Sequence, residues 1–204
     1  MRKGRKQTKK NKTGLLFVIS GPSGSGKTTL AGRLLAEKEF KGLLHKSVSF
    51  TTRPKRSCER GKKDYHFVSQ ATFKRYLTAK KILEWTKYLG YYYGTPKDLV
   101  NDQLAQGKHL ILCVDLRGAK RLKRLYPSCA VTIFIMPPSL AELEKRIEKR
   151  CSSVQKEEVL RRVELAKKEV LAKNTFDYVI VNKDFERSVQ KLRKIVTEKI
   201  KLLH

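Results

Sequence analysis

The stretch LLFVISGPSGSGKTT occupies residues 15–29 and carries the strongest structural signal in the chain. Its beginning, Leu15–Ser20, is a short apolar run, which is typical of a strand buried inside a parallel sheet. A turn of glycines and serines follows, and Leu30, Leu34 and Leu35 then recur at helical spacing. The pattern predicts a buried strand, a tight turn and an amphipathic helix, in that order.

The turn itself matches the pattern GxxxxGK[ST]. Small residues allow backbone N–H groups to surround a phosphate, and the following helix adds the partial positive charge of its N-terminus. In such a loop Lys27 can reach the β- and γ-phosphates, and the Thr28 hydroxyl can ligate Mg²⁺. The residues predicted to bind a nucleoside triphosphate are Gly21, Pro22, Ser23, Gly24, Ser25, Gly26, Lys27, Thr28 and Thr29. A nucleoside triphosphate bound with Mg²⁺ is compatible with a hydrolase, a kinase or a switch.

Apolar runs alternate with helical patterns over much of the remaining chain. Strands are predicted at residues 109–116, 130–136 and 178–181, and helices at about 118–126, 139–150, 156–173 and 185–203. Strands that alternate with helices form a parallel sheet covered on both faces, so the predicted fold class is α/β.

Residues 47–95 interrupt this alternation. Short strands are predicted at residues 46–53 and 65–69, followed by a helix over about 71–81 and a Tyr-rich segment. We interpret the interval 47–95 as a lobe inserted into a single domain, because 204 residues suffice for one core with small insertions.

The charge balance is unusual, with 47 Lys and Arg residues against 19 Asp and Glu residues and a net charge of +28. Such a field attracts polyanions, which leaves open a nucleic-acid surface or an enzyme that handles phosphates. Residues 1–13 hold seven of these cations and almost no apolar residue, so a disordered basic arm is predicted there.

Several classes of protein are disfavoured by the sequence. No stretch approaches 18 apolar residues, so no membrane span is expected, and the N-terminus lacks the apolar segment of a secretory signal. The four cysteines lie far apart without a CxxC pair, which argues against a zinc site or a disulfide framework. A cytoplasmic location is the expectation.

Arg53, Arg56 and Tyr65 share one loop-rich stretch, SVSFTTRPKRSCERGKKDYHF (residues 47–67). Guanidinium groups and a phenol hydroxyl suit a terminal phosphate, which offers several oxygens to bidentate donors. Surface charges without a ligand would produce the same pattern.

Glu84, Tyr93 and Thr95 lie close together in LEWTKYLGYYYGT, residues 83–95. A buried carboxylate beside a hydroxyl is suited to guanine, because the carboxylate accepts from the ring N–H and the exocyclic amine while the hydroxyl donates to the carbonyl oxygen. An exposed helical carboxylate and simple aromatic packing are the alternative interpretations.

From about residue 14 to residue 200 the chain resembles the guanylate kinases. The motifs that carry the resemblance are GPSGSGKTT (21–29), SVSFTTRPKR (47–56) followed by Glu59 and DYHF (64–67), LEW (83–85), YYYGT (91–95), the strand ending in Asp115 with Gly118, IFIMPPS (133–139), LEKRIEKR (143–150), LRRVELAKKE (160–169) and DYVIVN (177–182). They occur in the order that the family shows.

The resemblance implies transfer of a phosphoryl group from ATP to GMP or dGMP, which gives ADP and GDP and belongs to purine metabolism. It implies that the GMP site consists of Ser49, Arg53, Arg56, Tyr65, Glu84, Tyr93, Thr95 and Asp115. Arg150 and Arg162 match the lid arginines that act with Lys27 in catalysis, and Asn182 falls on the adenine side. Mg²⁺ enters with ATP, and Thr28 is the predicted metal ligand.

The architecture implied is a phosphate-loop parallel sheet flanked by helices, with a GMP-binding lobe and a helical lid. The core would comprise residues 14–46, 96–138 and 174–204, the lobe 47–95 and the lid about 139–173. Competing interpretations are a kinase for another phosphorylated acceptor and a family-like binding module, or RNA-associated protein, without GMP kinase activity.

One departure from the family concerns the strand that usually ends D-x-D. Here it ends Cys113-Val114-Asp115, so a thiol replaces the first carboxylate. We therefore expect a weaker or altered dependence on Mg²⁺, which would be held by Thr28, ATP oxygens and water.

Overall fold

The computed structural model describes residues 13–55, 59, 61, 65–88, 90–150 and 156–203, with side chains for all of these except residues 149, 150, 156–159 and 161. The strands are β1 (Leu16–Ser20), β2 (Leu44–Lys46), β3 (Phe50–Thr51), β4 (His66–Phe67), β5 (Ile82–Tyr88), β6 (Tyr91–Pro96), β7 (His109–Cys113), β8 (Ala130–Met136) and β9 (Tyr178–Val181). The helices are α1 (Lys27–Leu35), α2 (Gln70–Thr78), α3 (Lys97–Ala105), α4 (Leu116–Leu125), α5 (Leu140–Arg150), α6 (Lys156–Leu171) and α7 (Phe185–Leu203). The predicted arm, residues 1–13, lies outside the described residues except for Thr13.

Five strands form a parallel sheet in the order β2-β7-β1-β8-β9. The central strand β1 is completely enclosed, since Leu16, Phe17, Val18 and Ile19 have no exposed surface. This burial on both faces explains the continuous apolar run in the sequence. Helices flank the sheet, with α1 packed against α7 and α4 packed against β1 and β8. The α/β fold class is confirmed.

A second, four-stranded sheet has the order β4-β3-β6-β5 and mixes parallel with antiparallel pairs. The long hairpin of β5 and β6 forms its main part. One irregularity interrupts that hairpin, because the register shifts between Ile82 and Trp85. Two residues of β5 thus occupy a bulge opposite β6. Bulges change the direction of the side chains they carry, and Glu84 lies in this one.

The structure corrects three predictions of secondary structure. The expected strand at residues 46–53 is two short strands, because the chain leaves the parallel sheet after Lys46 and joins the second sheet at Phe50. The expected helix over 71–81 ends at Thr78, since Lys80 takes a left-handed conformation with φ of 55°. Helix α3 was not predicted at all.

Helix α3 escapes detection because its pattern is short. It has nine residues, begins directly after β6 and buries only Val100 and Leu104. Two buried positions four residues apart fit a helix but do not establish one. None of the described helices is both long enough and apolar enough to cross a membrane.

Asp177 links the last two strands of the parallel sheet to α4. Its Oδ2 accepts from the backbone N–H and the hydroxyl of Thr132, each at 2.8 Å, and its carboxylate accepts from Lys123 Nζ. Burial would raise the pKa of Asp177, but these hydrogen bonds outweigh it and lower the pKa below its ordinary value of 3.8. The ionised carboxylate is therefore the form that the fold stabilises.

Replacing Asp177 with Ala should lower the free energy of unfolding by about 1–2 kcal/mol at pH 7, because the Thr132 N–H and Lys123 lose their acceptor. Urea unfolding measures this. A folded-state pKa that is depressed gives stability above the unfolded pKa and loses it as the pH falls, so the difference should shrink below about pH 4. The exposed Glu164→Gln variant serves as the control, and an equal loss in both variants would contradict the role of Asp177.

Candidate active site

The phosphate loop lies between β1 and α1. Three of its glycines, Gly21, Gly24 and Gly26, have positive φ angles of 143°, 82° and 91°. Gly26 is the N-cap of α1, no side chain caps this helix and its first turn holds no acidic residue. The first N–H groups of α1 are therefore available to an anion such as a phosphate.

Two of these glycines are also required by close packing. A Cβ at Gly21 would lie 2.2 Å from the carbonyl oxygen of Ile135, and one at Gly26 would lie 2.4 Å from Asn182 Nδ2. Both distances are shorter than any contact that a methyl group tolerates. The loop thus depends on glycine for its backbone conformation and for its fit against β8 and β9.

A cavity of about 360 Å³ opens at this loop. Its lining includes Gly24, Gly26, Lys27, Thr28 and Thr29 from the loop, together with Arg146, Asn182, Lys183 and Phe185. The ammonium group of Lys27 donates to the carbonyl oxygen of Pro22 at 3.2 Å, which keeps it at the loop. The cavity is concave, cationic and of the size that small ligands use.

Asn182 was predicted on the adenine side, and its side chain anchors the phosphate loop. Its backbone N–H donates to Met136 O at 2.8 Å, and its Nδ2 donates to Ser25 O at 2.9 Å. Asn182 is buried at 6% exposure and lines the cavity. The amide thus connects the end of β9 to the phosphate loop.

Sequence reasoning missed Arg146, Lys183 and Phe185 as cavity residues. Arg146 belongs to the arginine-containing run of α5, and its Nε donates to Glu142 Oε1 at 2.8 Å. The sequence of α5 showed that the helix is rich in arginine and lysine, but it did not show which of these residues would line the cavity. Lys183 and Phe185 carried no signal beyond their position after the last strand.

Arg53, Tyr65 and Tyr93 come together on the second sheet. The guanidinium carbon of Arg53 lies 5.7 Å from the centre of the Tyr65 ring, and the two tyrosine rings are 5.9 Å apart. Arg53 Nη2 donates to Glu59 Oε1 at 2.5 Å. Hydrogen bonding to Glu59 also raises the pKa of Arg53, and burial raises the pKa of Tyr65. At neutral pH the cluster presents a cation and phenol hydroxyls, which suit a phosphate.

The other predicted phosphate ligands are less well defined. Ser49 is half-buried between β2 and β3, where its carbonyl oxygen accepts from the His66 N–H at 2.9 Å. Arg56 lies outside the described residues. Glu59, whose role the sequence left open, is the ion-pair partner of Arg53.

Glu84 and Thr95 form a buried pair with 5% and 0% exposure. The hydroxyl of Thr95 donates to Glu84 Oε1 in a short hydrogen bond. Burial is the main cause that raises the pKa of Glu84 to about 7, against the lowering effect of the Thr95 hydrogen bond. The carboxylate therefore exchanges between its charged and neutral forms near neutral pH.

Asp115 stands at the start of α4, within electrostatic range of the same pair. Its Oδ1 accepts from the Gly118 N–H at 2.7 Å as a helix N-cap, and its charge further raises the pKa of Glu84. The three residues predicted for guanine, Glu84, Thr95 and Asp115, are thus adjacent in space. They come from three elements: β5, β6 and the loop after β7.

Helices α5 and α6 pack together through a small apolar cluster of Leu143, Ile147, Val163 and Ala166. On α6 the guanidinium carbon of Arg162 lies 5.3 Å from the centre of the Tyr88 ring, on the hairpin of the second sheet. The side chain of Arg150 lies outside the described residues.

Glu169, also on α6, was not predicted as a site residue from the sequence. Burial raises the pKa of Glu169. The positive charge of Lys27 lowers this pKa, and the negative charge of Asp115 raises it. These interactions place Glu169 within electrostatic range of both the phosphate loop and the N-terminus of α4.

Cys113 connects the two halves of the site. Its Sγ donates to the Lys27 carbonyl oxygen at 3.7 Å, and Asp115 follows two residues later. Burial raises the thiol pKa to about 11, so the side chain is neutral at pH 7. Within the described residues no group of three or more His, Cys, Asp or Glu side chains could hold a metal ion.

This donor set suits Mg²⁺ that arrives with a nucleotide. Mg²⁺ usually keeps several waters and takes most of its remaining ligands from substrate phosphates. The exposed Thr28 hydroxyl at the cavity fits that mode. A dedicated metal cage formed by protein side chains would need more carboxylates.

Comparisons with known proteins agree with this geometry. The family model for guanylate kinase matches residues 13–199. The guanylate kinase of Caldanaerobacter subterraneus subsp. tengcongensis is 43% identical over 185 residues, which cover 91% of this chain and 87% of that protein. The guanylate kinase of Thermosynechococcus vestitus is 45% identical over 176 residues, which cover 86% of this chain and 90% of that protein.

A solved structure extends the similarity to the fold. The crystal structure of guanylate kinase from Anaplasma phagocytophilum superposes with a TM-score of 0.73 at 31% identity, and the match covers 92% of this chain and 87% of that one. Because the family model matches residues 13–199 and relatives more than 40% identical cover most of the sequence, this chain belongs to the guanylate kinase family.

Proposed function

We propose that the protein transfers the γ-phosphoryl group of ATP to GMP or dGMP, giving ADP and GDP. Membership of the family supports this activity. The observation that carries this proposal is that the phosphate loop and the Glu84–Thr95 pair meet at one edge of the parallel sheet. Cys113 contacts the phosphate loop at Lys27, and Asp115, two residues further, caps the Gly118 N–H where α4 lies against Glu84.

At the donor end, the N–H groups of the phosphate loop and α1 would bind the ATP phosphates, with Lys27 at the β- and γ-phosphates. Arg146 lines the same cavity and would add positive charge. Mg²⁺, held by Thr28 and nucleotide oxygens, would neutralise charge on the transferring group. Asn182 would keep the loop in place on the adenine side.

At the acceptor end, Arg53, Tyr65 and Tyr93 would bind the GMP phosphate, with Ser49 and Arg56 completing the set. The ion pair with Glu59 supports this role, because it holds Arg53 close to the two rings before a phosphate arrives. A phosphate with two negative charges can then compete for the same guanidinium.

Guanine recognition would rest on Glu84, Thr95 and Asp115. An ionised Glu84 accepts from the ring N–H and the exocyclic amine, which adenine does not present in the same arrangement. The Thr95 hydroxyl donates to Glu84 here. It can donate to the guanine carbonyl oxygen only by exchanging that partner.

The chemistry needs no general base, because the attacking oxygen belongs to a phosphate that is ionised near neutral pH. Catalysis then consists of positioning and charge neutralisation around a loose, in-line transition state. Lys27, Arg150 and Arg162 are the proposed catalytic residues. The location of Arg162 over Tyr88 of the acceptor sheet supports its role, since it brings a cation of α6 towards the acceptor.

Some predictions from the sequence remain untested. The division into core, lobe and lid, the cytoplasmic location and the place in purine metabolism stay predictions. The net charge of +28 still favours weak binding of nucleic acid, which a salt-dependent RNA titration would test. An alternative role as a binding module has no observation in its favour, since the phosphate loop is intact.

A panel of acceptors tests the proposed activity. ADP formation from ATP should depend strongly on GMP or dGMP and be weak with AMP, CMP and UMP. Replacing Lys27 with Ala should reduce turnover by about 100-fold or more, because its charge on the transferring group is lost. The exposed Lys97→Ala variant is the matched control. ADP formation that no acceptor stimulates would contradict the proposal.

Replacing Glu84 with Gln should reduce kcat/KM for GMP by roughly 2–4 kcal/mol in transition-state terms, because an amide donor would face the guanine amine. In the unaltered protein kcat/KM for GMP should rise with pH through about 7 as Glu84 ionises. Steady-state kinetics from pH 5.5 to 8.5 measure both effects, with the surface variant Glu198→Gln as control. Full GMP efficiency in Glu84→Gln would remove Glu84 from the site.

Replacing Cys113 with Asp should change the dependence on Mg²⁺, because a carboxylate is a ligand that Mg²⁺ prefers and a neutral thiol is not. We expect the Mg²⁺ concentration for half-maximal rate to fall. Titration of Mg²⁺ at fixed ATP and GMP measures it, and Cys113→Ser controls for loss of the thiol. An unchanged titration and unchanged turnover would show that position 113 does not affect the metal.

A further inference from the structure

One face of α4 lies directly against the buried Glu84. Asp115, Gly118 and Arg121 follow at intervals of three residues, so each lies about one turn beyond the last and next to it along α4. Asp115 caps the Gly118 N–H, and a Cβ at Gly118 would lie only 2.7 Å from Glu84 Oε2. Arg121, one turn further, donates from Nε to the carbonyl oxygen of Leu83 in a short hydrogen bond.

We propose that Arg121 is a positioning residue for guanine recognition, which holds the bulged Leu83–Glu84 segment of β5 against α4 so that the Glu84 carboxylate stays beside Thr95. This inference rests on the proposed function, because it deepens the role of Glu84 in binding GMP. Sequence motifs did not single out Arg121, and nothing in its local pattern connects it to a site 38 residues earlier.

The first argument is the bulge in β5. The pairing of β5 with β6 runs from Ile82 opposite Pro96 to Trp85 opposite Gly94, so Leu83 and Glu84 together face the single residue Thr95. A bulge disrupts the regular ladder of hydrogen bonds and leaves the backbone there dependent on other partners. Arg121 supplies a charged donor to the Leu83 carbonyl at this point.

The second argument is the closeness of α4. Since Gly118 has no side chain, the helix approaches Glu84 closely enough for Arg121 to reach the strand. The contact fixes the backbone next to Glu84, while Thr95 fixes its carboxylate from the other strand. A carboxylate that must meet two donors of one base needs both restraints.

The charge of Arg121 also acts on Glu84. The groups that act on Glu84 are Thr95 on β6, Asp115 at the N-terminus of α4 and Arg121 within α4. Thr95 and Arg121 lower the Glu84 pKa, whereas Asp115 raises it. Arg121 is exposed, so water screens its charge and its effect on ionisation is smaller than that of burial.

The test compares Arg121→Met with Arg121→Lys and with Arg124→Met, a matched change at an exposed position of the same helix. Arg121→Met should raise KM for GMP about tenfold, since a charge-assisted hydrogen bond next to the base-binding carboxylate is lost. KM for ATP and kcat at saturating GMP should stay within about twofold. Arg121→Lys should recover part of the GMP affinity, and Arg124→Met should match the unaltered protein.

The pH profile separates positioning from a general structural effect. Loss of the Arg121 charge should move the rising limb of kcat/KM for GMP to higher pH, because the pKa of Glu84 increases. Arg121→Lys keeps the charge and should keep the limb in place. If Arg121 only stabilised the fold, the pH profiles of kcat/KM for GMP in Arg121→Met and Arg121→Lys would either both shift or both stay in place.

Two results would overturn the inference alone. One is an unchanged KM for GMP in Arg121→Met while the unaltered protein phosphorylates GMP, and the other is an equal rise of KM for ATP and GMP. If Arg121→Met does not fold, Arg121→Gln, which also removes the charge, decides by the same criteria. Absence of GMP-dependent turnover in the unaltered protein would instead overturn the proposed function, and this inference with it.

Discussion

The parallel pairing of β1 with β7 is the constraint on which the site depends. Ile19 lies opposite Cys113, so the two strands end at the same level of the sheet. The phosphate loop leaves the end of β1, and the turn to Asp115 and α4 leaves the end of β7. Parallel strands deliver their carboxyl ends to one edge, which is where ligands bind in open α/β sheets. Donor and acceptor groups are thereby brought side by side.

The same edge also determines how the second sheet is attached. Helix α4 starts at Asp115 and lies against β5, where Gly118 and Arg121 contact the bulged segment. The acceptor sheet is therefore oriented by the helix that begins beside the phosphate loop. A displacement of α4 would move the residues proposed to recognise guanine and the end of β7 together.

Burial of Glu84 opposes stability and favours recognition. A carboxyl whose folded-state pKa lies near 7, against 4.5 ordinarily, destabilises the fold by about 3 kcal/mol when fully ionised. That cost is absent well below pH 4.5, grows as the pH rises from about 4.5 to 7 and is constant above that range. An apolar residue would be more stable, but it could not accept hydrogen bonds from guanine as proposed for Glu84. Hydrogen bonding from Thr95 offsets part of the cost.

Much of the site could be predicted from local sequence, and the reasons differ by residue. The phosphate loop could be predicted from residues 21–29 alone, because its glycines permit the positive φ angles that the loop requires. Glu84 and Thr95 were predicted as a carboxylate beside a hydroxyl and Asp115 from the family resemblance, and the structure brings the three close together. Arg121, Arg146 and Glu169 were missed, since each acts across elements and has no local pattern that sets it apart from other charged helical residues.

The sequence by itself determined the α/β class, the buried central strand and the phosphate loop, because apolar runs, helical spacing and glycine positions are properties of neighbouring residues. Only the tertiary structure decided that the chain changes sheets between Lys46 and Phe50, that β5 carries a bulge at Glu84 and that Arg121 reaches Leu83. These features depend on which surfaces meet after folding, and contacts between residues distant in sequence leave no periodic trace along the chain.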